Sequence, residues 1–217
     1  MDTPRVDRPR PRFARMYERV SPGMEAEGMG ALRDELLSGV NGDVVEVGAG
    51  NGMNFSHYPA TTTGVIAIEP EPHLRSLAEQ AAAKLGVPVT VLAGRAEAVP
   101  LDSASVDVGV VSLMLCALDD QSQALGELFR VIRPGGDLRF LEHVAAAGPA
   151  LRTLQKVADA TVWPALTGGC RTARDPIAAI AAAGFRVERS RRLRFPDSWL
   201  PVPAAPHVLG MAVRPNE

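Results

Sequence analysis

The stretch Val44-Val45-Glu46-Val47-Gly48-Ala49-Gly50-Asn51-Gly52 decides the fold of this chain. Its apolar first half predicts a short buried strand, and three glycines follow at alternate positions. Glycine lets the chain turn sharply and lets a ligand approach the backbone, because it has no side chain. In doubly wound α/β sheets, ligands bind at such a loop, at the carboxyl end of a strand. The stretch therefore predicts an α/β sheet with a ligand-binding loop.

The spacing of the glycines narrows the class of ligand. A dinucleotide-binding Gly-x-Gly-x-x-Gly counted from Gly48 would need its last glycine at position 53, which is Met53. The Gly-Lys-Ser/Thr ending of a triphosphate-binding loop is also missing. Glu69 follows the next apolar run, 21 residues after Gly48, where a carboxylate can accept hydrogen bonds from both hydroxyls of a ribose. The pattern favours a nucleoside-containing ligand over two plainer roles, a cap on loop amides for Glu46 and a surface acid for Glu69.

From residue 43 onward, apolar runs alternate with helical patterns, which indicates crossover connections and a mostly parallel sheet. The connection from Phe195 to Pro206 is too short for a crossover helix, so the last two strands should be antiparallel. We expect an α/β fold, a doubly wound Rossmann-like sheet of seven strands with helices on both faces and a C-terminal antiparallel hairpin. The predicted strands are 43–47, 65–68, 87–93, 106–115, 137–142, 185–195 and 207–214, and the main predicted helices are 73–85, 120–132, 150–163 and 176–184.

Composition and charge argue against several classes of protein. The chain has 217 residues and a net charge of −2, so it has no general attraction for nucleic acid or acidic membranes. Five arginines within 186–194 have no interleaved aromatic residues, which favours a solvated edge strand over an RNA surface. Two cysteines are too few for a disulfide scaffold or a four-cysteine zinc site, and no cluster has metal-ligand spacing, so no metal is expected. We expect a cytoplasmic monomer or homodimer that binds neither nucleic acid nor membrane.

The glycine loop and the segments after it resemble the class I methyltransferases that use S-adenosylmethionine (SAM). The resemblance extends over residues 93–101, which line the adenine in that family, and over 105–107 and 128–136. Many relatives carry Asp where this chain has Arg95, which leaves the backbone of Ala96 to contact the adenine. The resemblance implies SAM as cofactor, S-adenosylhomocysteine as product, an N-terminal arm with lid helices over 1–38, and a methyltransferase domain over 39–217. The implied cofactor-binding residues are Tyr17, Glu46, Gly48, Ala49, Gly50, Asn51, Asn54, Glu69, Pro70, Arg95, Ala96, Glu97, Ser112 and Leu113.

Four further segments, 113–116, 140–144, 169–174 and 206–210, resemble the small thiol methyltransferases. This narrower resemblance implies a small-molecule acceptor with a thiol sulfur, in detoxification or natural-product tailoring. Animal members of that group begin with a hydrophobic membrane-associating segment, whereas this chain begins with an arm rich in arginine and proline, so no membrane attachment is expected. The alternatives are an O- or N-methyltransferase on a small metabolite, an RNA methyltransferase, a non-catalytic SAM-binding protein, and a nicotinamide oxidoreductase, which Met53 opposes.

Side chains at the ends of predicted strands are the candidates for acceptor chemistry. We expect His143, just past the fifth strand, to accept a proton or to orient the acceptor. Its neighbour Glu142 would attract the sulfonium charge or hold a loop. A thiol needs little activation, because its pKa of about 8.5 leaves a few per cent ionised at neutral pH. The predicted acceptor pocket contains Cys116, Trp163, Trp199 and His207.

Overall fold

One seven-stranded sheet organises residues 10–197 and 200–216, which this computed structural model describes. The strands are β1 (Gly42–Val47), β2 (Thr62–Ile68), β3 (Val89–Leu92), β4 (Val106–Ser112), β5 (Ile132–His143), β6 (Arg186–Arg194) and β7 (Pro206–Val213). Their order across the sheet is β3-β2-β1-β4-β5-β7-β6. Strands β1 to β5 pair in parallel, and β7 runs antiparallel to both β5 and β6. The predicted mostly parallel sheet with a C-terminal antiparallel hairpin is therefore confirmed.

Two hydrophobic clusters fill the space between the sheet and its helices. Successive side chains of a strand point to opposite faces, so Val44 packs in one cluster and Val45 in the other. The first cluster contains Leu36 and Ala78, and the second contains Leu128 and Ile180. The helices are α1 (Pro11–Met24), α2 (Gly30–Leu37), α3 (Pro72–Ala82), α4 (Gln121–Val131), α5 (Pro149–Asp159), α6 (Trp163–Leu166) and α7 (Pro176–Ala182).

Capping residues fix where two of the helices begin. Asp120 accepts hydrogen bonds from the backbone amides of Ser122 and Gln123 and starts α4. Asp175 accepts from the amide of Ala178 at the start of α7, with proline at the first helical position. Both starts agree with the sequence prediction.

Three predicted boundaries differ from those observed. The predicted strand 106–115 ends at Ser112, because Leu113 has a φ of +56° that no strand can continue. The predicted helix 150–163 divides into α5 and α6 after Asp159. Strand β5 begins at Ile132 instead of 137, since Gly135 adopts a φ of +79° and lets the chain pass from α4 into the strand without a separate loop.

The N-terminal helices run into each other through a π-helical turn, Glu25–Met29, where Gly28 has a φ of +120°. The arginine-rich strand β6 is the edge of the sheet and is mostly exposed, as predicted. Among the described residues, every helix is too short or too polar to cross a lipid bilayer.

Candidate active site

The glycine loop leaves β1 at the edge of the sheet where the parallel strands end. Gly48, Gly50 and Gly52 all have positive φ angles, +75°, +59° and +79°, which favour glycine strongly. The amide of Gly48 donates to the carbonyl of Ile68 at the end of β2. A Cβ on Gly48 would lie 2.9 Å from Met114 Cβ, so the loop packs directly on the segment that follows β4. These contacts make an open cradle between β1, β2 and β4.

Glu69 lies beside this cradle, one residue after β2. One carboxylate oxygen accepts from the amide of Gly50 at 2.8 Å and the other accepts from the amide of Glu71 at 2.9 Å. Burial raises the pKa of Glu69 above its ordinary value. A carboxylate offers about four acceptor positions, so two remain for hydroxyl donors of a ligand. The position predicted for the ribose-binding acid is thus occupied by a carboxylate that also fixes the loop.

Glu46 belongs to a buried polar network beneath the loop. Its carboxylate accepts from Asn54 Nδ2 at 2.8 Å and from the Tyr58 hydroxyl at 2.7 Å. The oxygen of the Asn54 amide accepts from Arg33 at 2.6 Å, so both ends of this side chain are engaged inside the protein. Burial raises the pKa of Glu46 to about 7. These donors are side chains, whereas the plainer role considered for Glu46 was a cap on loop amides, so the network supports the glycine loop only indirectly, from below.

Helix α1 lies across the outside of the glycine loop. A Cβ on Gly50 would be 3.5 Å from the ring of Tyr17, and Asn51 Nδ2 donates to the Ser21 hydroxyl at 2.8 Å. At its N-terminal end, α1 reaches the segment after α6, where Arg10 donates to the carbonyl of Gly168. The helix therefore touches both the predicted cofactor loop and the segment that leads to Cys170.

Two buried polar atoms at the cradle lack a hydrogen-bond partner within the described part of the chain, the hydroxyl of Ser112 and Oδ1 of Asn51. Such atoms are costly when unpaired, so a ligand that formed hydrogen bonds with them would be stabilised. Together with the bare glycines and Glu69, they suit the adenosine and methionine groups of SAM. Of the remaining predicted cofactor residues, Ala49 and Ala96 are buried, Arg95 pairs with Glu97 at 3.5 Å, the Pro70 carbonyl accepts from Arg75, and Leu113 directly follows β4.

Glu142 holds the turn after β4. Its fully buried carboxylate accepts from the amides of Met114 and Leu115 at 2.8 Å each and from the amide of Cys116 at 3.2 Å. Burial raises the pKa of Glu142 to about 7. Of the two roles considered for this residue, its hydrogen bonds match the one of holding a loop.

A cluster of Cys116, His143 and Cys170 lies next to that turn. His143 Nδ1 is 3.3 Å from Cys116 Sγ and 3.4 Å from Cys170 Sγ. Hydrogen bonding with Cys116 lowers the pKa of the Cys170 thiol to about 5, against the effect of burial, and His143 lowers it further. The same hydrogen bond, together with burial, raises the pKa of Cys116. Burial is the largest single effect on His143 and opposes its ionisation, but the hydrogen bond to Cys170 and the nearby negative charges together raise the pKa of the imidazole.

Backbone hydrogen bonds fix the segments that carry the cluster. The amide of Arg171 donates to the carbonyl of Cys116 at 2.9 Å. Asp159, at the end of α5, accepts from the amides of Thr172 and Ala173 at 2.7 and 2.9 Å. The sulfur and nitrogen atoms of the cluster are therefore held by three separate parts of the chain that are tied together.

The other predicted pocket residues divide into three cases. His207 lies opposite His143 in the β5–β7 pairing, with ring centroids 4.5 Å apart, and burial lowers its pKa to about 3. Trp163 helps to lower the pKa of Cys170, and its indole nitrogen is buried without a hydrogen-bond partner of normal geometry in the described ranges. Trp199 lies outside the described residues.

The sequence analysis did not include Cys170 or Arg33 among the site residues. Cys170 follows Gly168-Gly169, and both glycines have positive φ angles, so the two glycines were a signal of a special turn. His143 is 27 residues from Cys116 and 27 residues from Cys170 along the chain, and no local sequence pattern links residues so far apart. Arg33 looked like an ordinary helical arginine, yet it is only 5% exposed.

The sequence and the fold are similar to those of known methyltransferases. A methyltransferase domain family matches residues 45–140. The human thiol S-methyltransferase TMT1A is 34% identical to this chain, and the match covers 87% of this chain and 80% of TMT1A. The mouse thiol S-methyltransferase TMT1B is 32% identical, and the match covers 93% of this chain and 82% of TMT1B. The crystal structure of a SAM-dependent methyltransferase from Thermotoga maritima aligns with a TM-score of 0.68 and 24% identity, covering 94% of this chain and 97% of that one. This chain belongs to the family of SAM-dependent methyltransferases that includes the mammalian thiol S-methyltransferases.

Proposed function

We propose that this enzyme transfers a methyl group from SAM to the sulfur of a small-molecule thiol, and that it does so in the cytoplasm. One observation carries the choice of acceptor: two thiols and an imidazole converge at the cluster of Cys116, His143 and Cys170. Met114, which packs against Gly48 of the cofactor loop, is only two residues from Cys116. A sulfur-rich cluster close to the cofactor loop suits a thiol, and the similarity to TMT1A and TMT1B supports the same acceptor.

On the cofactor side, we propose that Glu69 binds the ribose hydroxyls and that the glycine loop holds the methionine end of SAM. Ser112 and Asn51 would complete their hydrogen bonding with the same ligand. Helices α1 and α2 would act as a lid, with Tyr17 of α1 above Gly50. In this assignment Glu46 and Asn54 act from beneath the loop as positioning residues, because their side chains bond to each other and to their buried neighbours.

On the acceptor side, bound SAM supplies an electrophilic methyl group on a sulfonium sulfur. His143 orients the incoming thiol, and Glu142 positions the cluster by holding the turn that carries Cys116. The acceptor thiol gives its proton to solvent and its sulfur forms the new bond to the methyl carbon. The bond between that carbon and the SAM sulfur breaks, and its electron pair stays on the sulfur of S-adenosylhomocysteine. Transfer requires the acceptor sulfur, the methyl carbon and the SAM sulfur to lie in line, with the acceptor sulfur about 3–3.5 Å from the methyl carbon. Rigid placement of acceptor and cofactor therefore supplies much of the rate.

The release of S-adenosylhomocysteine from the purified chain tests this function. The acceptor panel contains alkyl thiols, dithiols, catechols and amines, each with SAM. We expect turnover with the thiols and none with the catechols and amines. Turnover confined to catechols or amines would overturn the thiol assignment, and SAM binding without any turnover would favour a binding protein.

A further inference from the structure

We propose that Cys116, His143 and Cys170 form a zinc site whose open fourth position binds the acceptor thiol as a thiolate. The proposal rests on the thiol methyltransferase function above and names how that enzyme would hold its acceptor. The three side chains each offer one ligand atom, and these atoms all lie within 4.8 Å of one another. No function assigned so far to these residues explains why all three converge.

The interatomic distances suit a tetrahedral zinc ion. With Zn–S of about 2.3 Å and Zn–N of about 2.0–2.1 Å, tetrahedral ligands place sulfur and nitrogen about 3.6 Å apart. The observed separations from His143 Nδ1 are 3.3 Å to Cys116 Sγ and 3.4 Å to Cys170 Sγ. The two sulfurs lie within 4.8 Å of each other, and a tetrahedral zinc would place them about 3.8 Å apart.

The ligand chemistry favours zinc over a hard cation. Two thiolates and one imidazole are soft or borderline ligands that select zinc and related metals over magnesium or calcium. Three protein ligands with one open position are typical of catalytic zinc sites, whereas structural sites have four. Two thiolates also neutralise the charge of the ion, which suits a site where Cys116 and Cys170 are 2% and 6% exposed.

The surroundings fix the ligands as a metal site requires. The amide of Cys116 donates to Glu142, and the carbonyl of Cys116 accepts from the amide of Arg171, next to Cys170. Without a metal, the alternative partner of the Cys116 thiol is the carbonyl of Leu113 at 3.5 Å. Outer contacts of this kind hold first ligands in place and affect metal affinity by about 10–100-fold.

A second observation points to a ligand at the open position. The indole nitrogen of Trp163 is buried and lacks a normal hydrogen-bond partner in the described part of the chain, although it is close enough to affect Cys170. This donor faces the Cys170 sulfur, so a thiolate bound beside that sulfur would lie within its reach. An aromatic ring with an N–H donor at its edge suits the sulfur and the apolar body of a small alkyl thiol.

Zinc would ionise the acceptor by direct coordination. The thiol gives its proton to solvent as its sulfur binds the ion, because a coordinated thiol is deprotonated outright. That sulfur then forms the bond to the methyl carbon, the sulfonium bond breaks, and its electron pair stays on S-adenosylhomocysteine. The resulting thioether carries no charge, so it binds the ion more weakly than the thiolate and leaves.

Metal analysis of the purified full-length chain tests the site directly. We expect about one zinc ion per chain after reconstitution, loss of zinc in Cys170→Ser, and retention in His143→Cys, where a thiolate replaces the imidazole. His73→Gln is the matched control, since His73 lies outside the cluster and pairs with Glu18, and it should keep its zinc. The cobalt-substituted chain should show a thiolate-to-cobalt charge-transfer band that grows when 2-mercaptoethanol is added.

The outcomes separate this proposal from the proposed function. Thiol turnover by the chelator-treated, metal-free wild-type chain at the rate of the zinc-loaded chain would overturn the zinc site and leave thiol methylation intact. Zinc binding without turnover of any thiol would leave the site and overturn the function. A chain that binds no zinc and has lost two hydrogens by mass contains a Cys116–Cys170 disulfide, and that result also overturns the zinc site.

Discussion

Gly48 and Met114 are in such close contact that a Cβ on the glycine would lie 2.9 Å from Met114 Cβ and nearer still to Met114 Cγ. The contact joins the loop after β1 to the turn after β4. Because Glu142 holds the amide of Met114, the same contact links the cofactor cradle to the acceptor cluster. Small changes at Gly48 should therefore affect both halves of the site.

The first prediction concerns Gly48→Ala. The φ of +75° costs an alanine about 1–2 kcal/mol, and its methyl group would collide with Met114. We expect lower thermal stability and loss of SAM binding, measured by thermal unfolding and titration calorimetry. Gly23→Ala in α1 is the control, since nothing lies within 4 Å of the added carbon; unchanged SAM binding by Gly48→Ala would contradict the packing argument.

The second prediction concerns Glu69→Gln. An amide has one oxygen and no charge, so it cannot satisfy the amides of Gly50 and Glu71 and also hold two ribose hydroxyls. Hydrogen bonds to charged groups contribute about 1.5–3 kcal/mol, which corresponds to SAM binding about 10–100-fold weaker. Titration calorimetry measures the affinity of the variant for SAM. The control is Glu79→Gln on the exposed side of α3, which should bind SAM with the affinity of the wild type. Equal affinity in the two variants would remove Glu69 from the cofactor site.

The third prediction is a pH dependence of stability that comes from Glu46. Its pKa is raised from 4.5 to about 7 by burial, so between these values the folded state binds more protons than the unfolded state. The free energy of unfolding should then fall as pH rises from 4.5 to 7, by about 3 kcal/mol for this group, and change no further above pH 7.

Glu46→Gln provides the comparison, because the amide stays neutral and can still accept from Tyr58. Denaturant unfolding of both chains between pH 4.5 and 8 should show that the wild type loses stability relative to the variant as pH rises. Parallel curves would show that Glu46 is ionised throughout, with Arg33 compensating the buried charge.

The fourth prediction concerns Glu142→Gln. The new NH₂ group would face the amide of Cys116 or those of Met114 and Leu115, all of which are donors. We expect a loss of about 2–3 kcal/mol in the free energy of unfolding, because a buried amide is left without an acceptor. Glu188→Gln on the exposed strand β6 should change stability by less than about 0.5 kcal/mol. A stability equal to that of the control would mean that the turn after β4 does not depend on Glu142.

The strand and the glycine loop on the predicted cofactor side could be located from the sequence, because their signals are local. Strand β1, the glycines and Glu69 lie within one short region, and their spacing alone indicates a nucleoside ligand. The antiparallel pairing of β7 followed from the length of the preceding connection. The end of β4 could not be predicted in this way, because the apolar run continues past Ser112 whereas the positive φ of Leu113 ends the strand.

The acceptor side was less predictable, because it is assembled from distant parts of the chain. Cys116, His143 and Cys170 come together only through the order of strands in the sheet and the hydrogen bond from Arg171 to Cys116. Cys116 and His143 were separate candidates in the sequence, but nothing in their own segments indicates that they meet Cys170. Glu142 was correctly placed at the sheet edge, but its three amide partners depend on the turn at Leu113, which the pattern of apolar residues does not reveal.

The position of β7 between β5 and β6 has a consequence for synthesis on the ribosome. Strands β1 to β5, with the glycine loop and Glu69, can assemble while the rest of the chain is still being translated. The edge of β5 stays unpaired until Pro206–Val213 has emerged, and an open edge invites pairing with other chains. His207 arrives against His143 at the same moment. The middle of the sheet on the β5 side would thus be closed only after the glycine loop, Cys116, His143 and Cys170 have all been synthesised.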